Sequence, residues 1–447
     1  MIGIIGTGAG GVALAKYFED RGSKTIVWFH SQEKYRLFKS QNNVIISKDI
    51  TGESTSHSRI ITDITGFADR GEPAGADDRL DAGESGGLPS STTAAKNCDP
   101  VASTDAEGAG DSAVSTNKTD TSGSGAGKQT SQKKCLENKI TEKKNAPTAD
   151  SKINRTTITR ITDSLEELIQ CAQYIFIVTP ARVHEEIAFL LEDLLDPDYH
   201  VIILYPGRTY GSLAFYNNMR FKFDKIYEAQ TILHACRLEY NNLIIRGRKE
   251  FVYYSTPFTA IQEQLDFIEK IFPDLKFNED YPGTTLNNMG ALLHPIPLVL
   301  NGTRVESGEE FDFYSDGLTN KVIDYIYKVQ AEKKAVMRKL KCNYIPLYRW
   351  LNMMYNVDGA NLKKSVNKIK AYRGLAAPKT LNHRYIFDDI ITGLVPLYYT
   401  ARNLGIEADA LGSFINFAST YMDKDFMQVG RRDLYSKYLS GTDNWLK

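Results

Sequence analysis

A mostly parallel α/β sheet domain followed by an all-α domain is what this sequence predicts, and three observations carry that expectation. Short apolar strands alternate with helical stretches over residues 1–282, the pattern of βαβ units around a parallel sheet. A glycine-rich turn, Gly6-Thr7-Gly8-Ala9-Gly10-Gly11, joins the first strand to the first helix. From about residue 283 to 447 the apolar spacing becomes helical and strand signals fade.

The elements follow in order. Residues 2–5 read as a strand, 12–19 as a helix and 25–29 (TIVWF) as a second strand. A helix at 165–171 precedes a buried-type strand at 174–178 (YIFIV). Next come a helix at 184–195, a strand at 201–204 and a Pro206-Gly207 turn. Weaker strands are expected near 225–227, 243–246 and 251–254, with a helix at 260–271. Beyond them Leu318, Val322, Tyr325, Ile326, Val329, Val336 and Leu340 recur at helical spacing, and Thr319 is placed to cap the start.

Aromatic residues mark an interruption. The chain holds 20 Phe, 25 Tyr and 3 Trp, yet after Phe67 none appears until Tyr174. The stretch from about 66 to 152 is instead Gly, Ser, Thr, Ala, Asp and Lys. Such a composition cannot bury enough apolar surface to offset the entropy of ordering, so it is read as a disordered insert. SRIITDIT (58–65) and TTITRITDSL (156–165) look alike and suggest a short duplication at its borders. Without the insert roughly 360 residues remain, enough for two well-cored domains.

Bulk properties narrow the function. A net charge of −1, from 54 basic and 55 acidic side chains, argues against nucleic acid as a partner, which needs a basic face. No apolar run approaches the roughly 18 residues that would span a bilayer. The opening MIGIIGTGAGGVALA lacks the basic start of a secretion signal, since its first cation is Lys16. Five scattered cysteines (Cys98, Cys135, Cys171, Cys236, Cys342) fit a reducing cytoplasm and exclude a disulfide scaffold or a cysteine zinc site.

Gly6, Gly8 and Gly11 match G-x-G-x-x-G, here following a strand, opening a helix and preceding a second strand about 20 residues on. That context is the dinucleotide-binding turn of a Rossmann domain, with the phosphates at the helix N-terminus beside Ala9 and Gly10. The second strand ends Trp28-Phe29-His30-Ser31, without the Asp or Glu that would hold the ribose hydroxyl of NAD. A 2′-phosphate would not be repelled there, and Ser31, Lys34 or Arg36 could contact it, so NADP is favoured over NAD. Val178-Thr179-Pro180-Ala181 and Tyr205-Pro206-Gly207 end later strands and should border the nicotinamide.

His57, His200 and His234 are read as surface or satisfied core residues. His294 differs, because it closes the apolar run Asn287-Asn288-Met289-Gly290-Ala291-Leu292-Leu293-His294-Pro295 and needs a polar partner. Far downstream, Arg384-Tyr385-Ile386-Phe387-Asp388-Asp389 is followed by Thr392-Gly393-Leu394-Val395-Pro396. A helix-surface ion pair of Arg384 with Asp388 is the simplest account of that charge pattern.

With these blocks in order, the chain resembles the opine dehydrogenases (the NAD/NADP octopine/nopaline dehydrogenase family) over nearly everything except the insert. The glycine turn, the VTPA loop, the Asn-rich segment ending His294-Pro295, Phe313-Tyr314-Ser315-Asp316-Gly317-Leu318-Thr319 and the Arg384-to-Pro396 block carry the resemblance. It implies a Rossmann domain, a helical substrate and catalytic domain, and reductive joining of an amino acid to an α-keto acid with NADH or NADPH. It also implies His294 as catalytic, Asp389 as its carboxylate partner, and Arg384 with Asn288 as substrate binders. One departure is Asp388, where the family pattern has Glu.

The chemistry suits those residues. A histidine near neutral pKa can exchange protons at the reacting carbon, a carboxylate fixes its tautomer, and an arginine grips a carboxylate with two hydrogen bonds. A dry cleft, and hence closure over the cofactor, is expected. No metal-ligand cluster is visible, so no metal is expected, and the partners are small-molecule substrates, with room for a homodimer. Two other readings remain: a hydroxy-acid or glycerol-3-phosphate-type dehydrogenase reducing a carbonyl with the help of a lysine in the helical half, and a dinucleotide-sensing regulator.

Overall fold

Buried-type apolar runs become the middle of a sheet. In the computed structural model, which describes residues 1–50 and 153–438, the strands are β1 (Ile2–Ile5), β2 (Thr25–Trp28), β3 (Val44–Asp49), β4 (Ile153–Thr157), β5 (Arg160–Thr162), β6 (Tyr174–Ile177), β7 (Val201–Leu204), β8 (Ile226–Ala229), β9 (His234–Glu239), β10 (Asn242–Arg248), β11 (Val252–Ser255) and β12 (Leu275–Phe277). The described residues belong to one compact unit. The expected insert, the motif at 58–65, His57, Cys98 and Cys135 lie outside them.

Eight strands form the main sheet in the order β12-β11-β8-β7-β6-β1-β2-β5. All neighbours are parallel except β11 and β8. Both faces are covered, so every residue of β1, β6 and β7 is buried. Ile4, Phe176 and Ile203 feed the core on one face, and Ile5, Ile177 and Leu204 the core on the other. The chain passes from β1 to β2 and β5, then returns to β6 on the opposite side of β1. This topological switch point is where open α/β sheets bind ligands, outside the carboxyl ends of the strands.

The glycine turn is fixed by that packing. Gly6 has φ +132°, and a Cβ on it would collide with the Val178 carbonyl oxygen across the β1–β6 pair. A Cβ on Gly11 would collide with the Gly6 carbonyl, so the helix Ala9–Glu19 sits directly on the turn. Gly8 is different, since among the described residues no atom beyond its own chain neighbours lies within 4 Å of where its Cβ would be.

A second sheet, β4-β3-β10-β9, departs from the sequence reading, which saw only β10 in part. It covers the Ala9–Glu19 helix: Ile45 and Leu243 join the core there, and Thr156 donates to Asp20 at 2.7 Å. Most of its residues are half-exposed or exposed and mix apolar with charged side chains, which hides the strand pattern. Elsewhere the expected elements stand within a few residues, although the helix from His184 ends at Leu191.

From Tyr281 onward the described chain is helical. Its longest helix, Asn320–Lys339, is capped by Thr319, whose hydroxyl accepts the Val322 N–H, and buries Val322, Ile326, Val329 and Val336. Lys333 is buried on the same face, 2% exposed, with its Nζ 3.6 Å from the Met289 sulfur. Burial pulls its pKa down to about 7.

Two measurements check this packing. Gly11→Ala should cost about 1–3 kcal/mol in denaturant unfolding because backbone blocks the new methyl, whereas Gly8→Ala should stay within about 0.5 kcal/mol. Lys333→Met should raise the Tm at pH 7. The unfolded lysine, with a pKa of about 10.4, binds more protons than the folded one between about pH 7 and that value. Parent stability therefore climbs with pH across this window, and the advantage of the variant should shrink toward pH 10. A gain independent of pH would refute the buried-ammonium account.

Candidate active site

The dinucleotide end is built by the turn after β1. Gly8 caps the Ala9–Glu19 helix without a side-chain hydrogen bond, and no acidic residue occupies the first turn. Its leading N–H groups suit an anion, and open space at Gly8 lets a ligand approach the backbone. Thr179, just past β6, has a buried hydroxyl oxygen with no hydrogen-bond partner among the described residues. Pro180 beside it is exposed. Gly10 faces Val178 and Ile232, and the Cys236 thiol on β9 donates to the Ala9 carbonyl at 3.4 Å. A nicotinamide dinucleotide fits this cradle, which offers open backbone at Gly8 and an unpartnered hydroxyl at Thr179.

The adenosine end brings a finding that the sequence did not show. His30 is exposed, 5.4 Å between ring centres from Trp28, and the Ser31 hydroxyl is engaged by the Lys34 N–H at 3.3 Å as a helix cap. A carboxylate does reach this corner, from the neighbouring strand: Asp163, one residue past β5, accepts from the Gln32 amide at 3.1 Å. Its carbonyl takes the Trp28 indole N–H at 3.2 Å. The β2–β5 pairing brings the two segments together.

At a second place, segments far apart in sequence converge. His294 follows the helix Gly290–Leu293, and Asp389 ends the helix Arg384–Asp389. The His294 Nδ1 lies 2.9 Å from Asp389 Oδ2, with Asp389 fully buried and the imidazole 17% exposed. A carboxylate only accepts, so Nδ1 carries the hydrogen and Nε2 is left as an acceptor. Tyr385 lies flat on the imidazole, ring centres 4.1 Å apart at 9°. A π-helical turn, Ile390–Leu394, begins immediately after Asp389. Such widened turns are frequent at functional sites. Gly393 within it leaves no room for a Cβ against Ala291.

Arg208, which the sequence reading passed over, occupies the centre. It sits in the loop after β7 with φ 65°. Its Nη1 is 2.8 Å from Asp389 Oδ1, and its Nη2 is 3.5 Å from Asp388 Oδ2. The other Asp388 oxygen accepts the Arg182 backbone N–H at 2.9 Å. Asp388 therefore pairs with the sheet domain and not with Arg384 as the helix spacing suggested. Asn288, expected to touch substrate, is 4% exposed. Its amide accepts from Arg208 Nη1 at 3.3 Å and donates to Thr209 at 3.4 Å.

The electrostatics follow from burial and charge. Burial pushes the Asp389 carboxyl up, but Arg208 and His294 beside it outweigh that and hold it below the ordinary value. Burial also draws the His294 imidazole below its usual value, with Arg208 and Arg384 adding to the effect against the pull of Asp389. The imidazole is thus neutral at pH 7 and able to take a proton.

Arg384 is exposed at the rim, its guanidinium carbon 5.1 Å from the Tyr385 ring centre. Arg237 on β9 is a second exposed guanidinium whose charge acts on Tyr385 and His383. Arg431 comes from near the end of the described chain to bond the carbonyls of Gly207, Thr209 and Ala181, and its Nε pairs with Glu185 at 3.1 Å. Among the described residues no group of three or more His, Cys, Asp and Glu is placed to hold a metal, and no helix is long and apolar enough to cross a membrane.

Comparison with known proteins agrees with this architecture. Residues 278–422 match the model of the NAD/NADP octopine/nopaline dehydrogenase alpha-helical domain. An octopine dehydrogenase in complex with NADH and agmatine superposes with a TM-score of 0.59 at 14% identity, covering 94% of this chain and 89% of that one. A yersinopine dehydrogenase with NADP+ bound gives 0.60 at 10% identity, covering 97% and 94%. An opine dehydrogenase of Arthrobacter sp. (strain 1C) is 31% identical over 278 residues, 61% of this chain and 77% of the relative. With that identity over most of a curated relative, the chain belongs to the opine dehydrogenase family of NAD(P)-dependent oxidoreductases.

Proposed function

We propose that this enzyme reductively joins the amine of an amino acid to an α-keto acid, with His294 and Asp389 as its proton-transfer pair. The observation that carries this reading is the 2.9 Å contact between the His294 Nδ1 and a buried carboxylate. Asp389 fixes the tautomer, so the neutral imidazole offers Nε2 as base. It relays both amine protons to the former keto oxygen, the first as the amine adds to the carbonyl and the second as that oxygen leaves as water. The nicotinamide, when bound, supplies the hydride that reduces the resulting C=N bond. Asp389 stabilises the imidazolium between these steps, and Tyr385 stacked on the ring limits its rotation.

Arg384, with no ion pair to a carboxylate among the described residues, is assigned to the carboxylate of a substrate, where a guanidinium can bond both oxygens. Asn288 supports Arg208 and Thr209 in this reading, so its part in substrate binding is indirect. Gly8, Ala9, Gly10, Thr179 and Pro180 line the cofactor. At the adenosine end the exposed Lys34 and Arg36 stand against Glu33 and Asp163. The preference for NADPH over NADH is accordingly modest. Action in a reducing cytoplasm suits Cys171, Cys236 and Cys342 as free thiols.

Cofactor oxidation should require an amino acid and a keto acid together, assayed across a matrix of both with each nicotinamide cofactor. Comparable oxidation with keto acid alone would sink the condensation reading in favour of carbonyl reduction. His294→Ala should lower kcat by about 10²–10⁴, while Lys333→Met should keep it within about threefold; the opposite pattern would point to a lysine-dependent reductase. In the oxidative direction the base must be neutral, so kcat/KM should fall as the pH drops through a value below 6.5, the ordinary imidazole pKa. A limb above that value would contradict the burial argument.

A further inference from the structure

We propose that Arg208 is a positioning residue for the proton-transfer pair, fixing the Asp389 carboxylate against His294 and, through Asp388, tying the imidazole to the loop that borders the cofactor. The inference rests on His294 as the proton-transfer group and extends that reading to a residue of the sheet domain.

The geometry is specific. Arg208 is 7% exposed and divides its guanidinium between two carboxylates, Nη1 at 2.8 Å from Asp389 and Nη2 at 3.5 Å from Asp388. Asp389 in turn divides its oxygens, Oδ1 to Arg208 and Oδ2 to His294. Asp388 does the same, Oδ2 to Arg208 and Oδ1 to the Arg182 N–H. A continuous path therefore runs from the Thr179-to-Arg182 loop through Asp388, Arg208 and Asp389 to the imidazole. Gly290 makes room for it: the site of its missing Cβ is 3.0 Å from Asp389 Oδ1 and 3.3 Å from His294 Cε1, and closer still to the Arg208 guanidinium.

A purely structural role for Arg208 is already filled. Arg431 bonds the carbonyls on either side of it, at Gly207 and Thr209. The Thr285 hydroxyl donates to the Arg208 carbonyl at 3.1 Å and accepts the Tyr210 N–H at 2.6 Å. The backbone of the loop is held without the guanidinium, whose partners are the two carboxylates and the Asn288 amide oxygen.

Charge counting says what that task achieves. One guanidinium faces two carboxylates, so the cluster carries −1 with a neutral imidazole and zero with an imidazolium. A buried net charge is unfavourable, which biases His294 toward taking a proton, while burial of the ring opposes it. Arg208 moderates the bias by drawing Asp389 Oδ1 to itself. The other groups facing the imidazole are Tyr385, Arg384 and His383, all at the start of the Arg384–Asp389 helix. No hydrogen bond from any of these three to Asp389 is seen among the described residues.

The test measures kcat, KM and their pH dependence on the full chain for Arg208→Gln, Arg208→Lys, Asp388→Asn and His294→Ala. Arg208→Gln should lower kcat by about 10²-fold with each KM changed less than about threefold, and Arg208→Lys should recover part of the loss. The acidic limb should move up by about half a pH unit or more in Arg208→Gln, which removes a positive charge, and down in Asp388→Asn, which removes a negative one. Opposite shifts support the proposal, and if Arg208→Gln fails to fold, the downward shift of Asp388→Asn decides alone. Limbs superimposed on the parent in folded variants would overturn it, because a structural staple changes the amount of active enzyme and leaves its titration alone. If His294→Ala keeps parental turnover, the proton-transfer reading falls and this inference with it. If His294→Ala is inactive and the limbs superimpose, only the role of Arg208 is lost.

Discussion

The site depends on one shared carboxylate. Asp389 is fully buried, ion-paired on one oxygen with a guanidinium from the sheet domain and hydrogen-bonded on the other to an imidazole from the helical domain. An isolated charge in that position would be costly, and the pairing removes most of the penalty only while both partners stay in register. The packing of the two halves therefore has little freedom at this point. Gly290 and Gly393 lack side chains where the strands of contact cross, and the π-helical turn sets Asp389 off from the helix that continues beyond it.

The sheet was legible because its central strands are buried on both faces and read as unbroken apolar runs. The glycine turn was legible because its backbone demands leave few alternatives: a side chain at Gly6 or Gly11 meets carbonyl oxygen. The longest helix showed itself through Thr319 and a regular apolar face. By contrast, the second sheet escaped notice since its strands are half-exposed or exposed, mix apolar with charged side chains, and are assembled from segments separated by the long insertion.

At the site, His294 and Asp389 stood out through polar residues set in apolar runs and through a family resemblance, and the structure brings the two together. Arg208 left no comparable signal. It follows a Pro-Gly turn, where a charged residue ordinarily faces water, and its partners lie about 180 residues downstream. Asp388 misled for a related reason: its spacing from Arg384 suits a helix-surface pair, but the helix turns it inward to Arg208 and Arg182. Asp163 shows the same limit, because strand pairing and not sequence order sets which carboxylate stands beside His30 and Ser31.

Arg431 has a consequence for how the molecule comes into being. Its guanidinium holds the loops at Ala181, Gly207 and Thr209, which lie more than 200 positions earlier. A nascent polypeptide can assemble its nucleotide-binding half on the ribosome long before that clamp emerges. The centre is thereby left unclamped until residue 431 has been made, and products terminated before it would carry a cofactor cradle with a slack, incomplete centre.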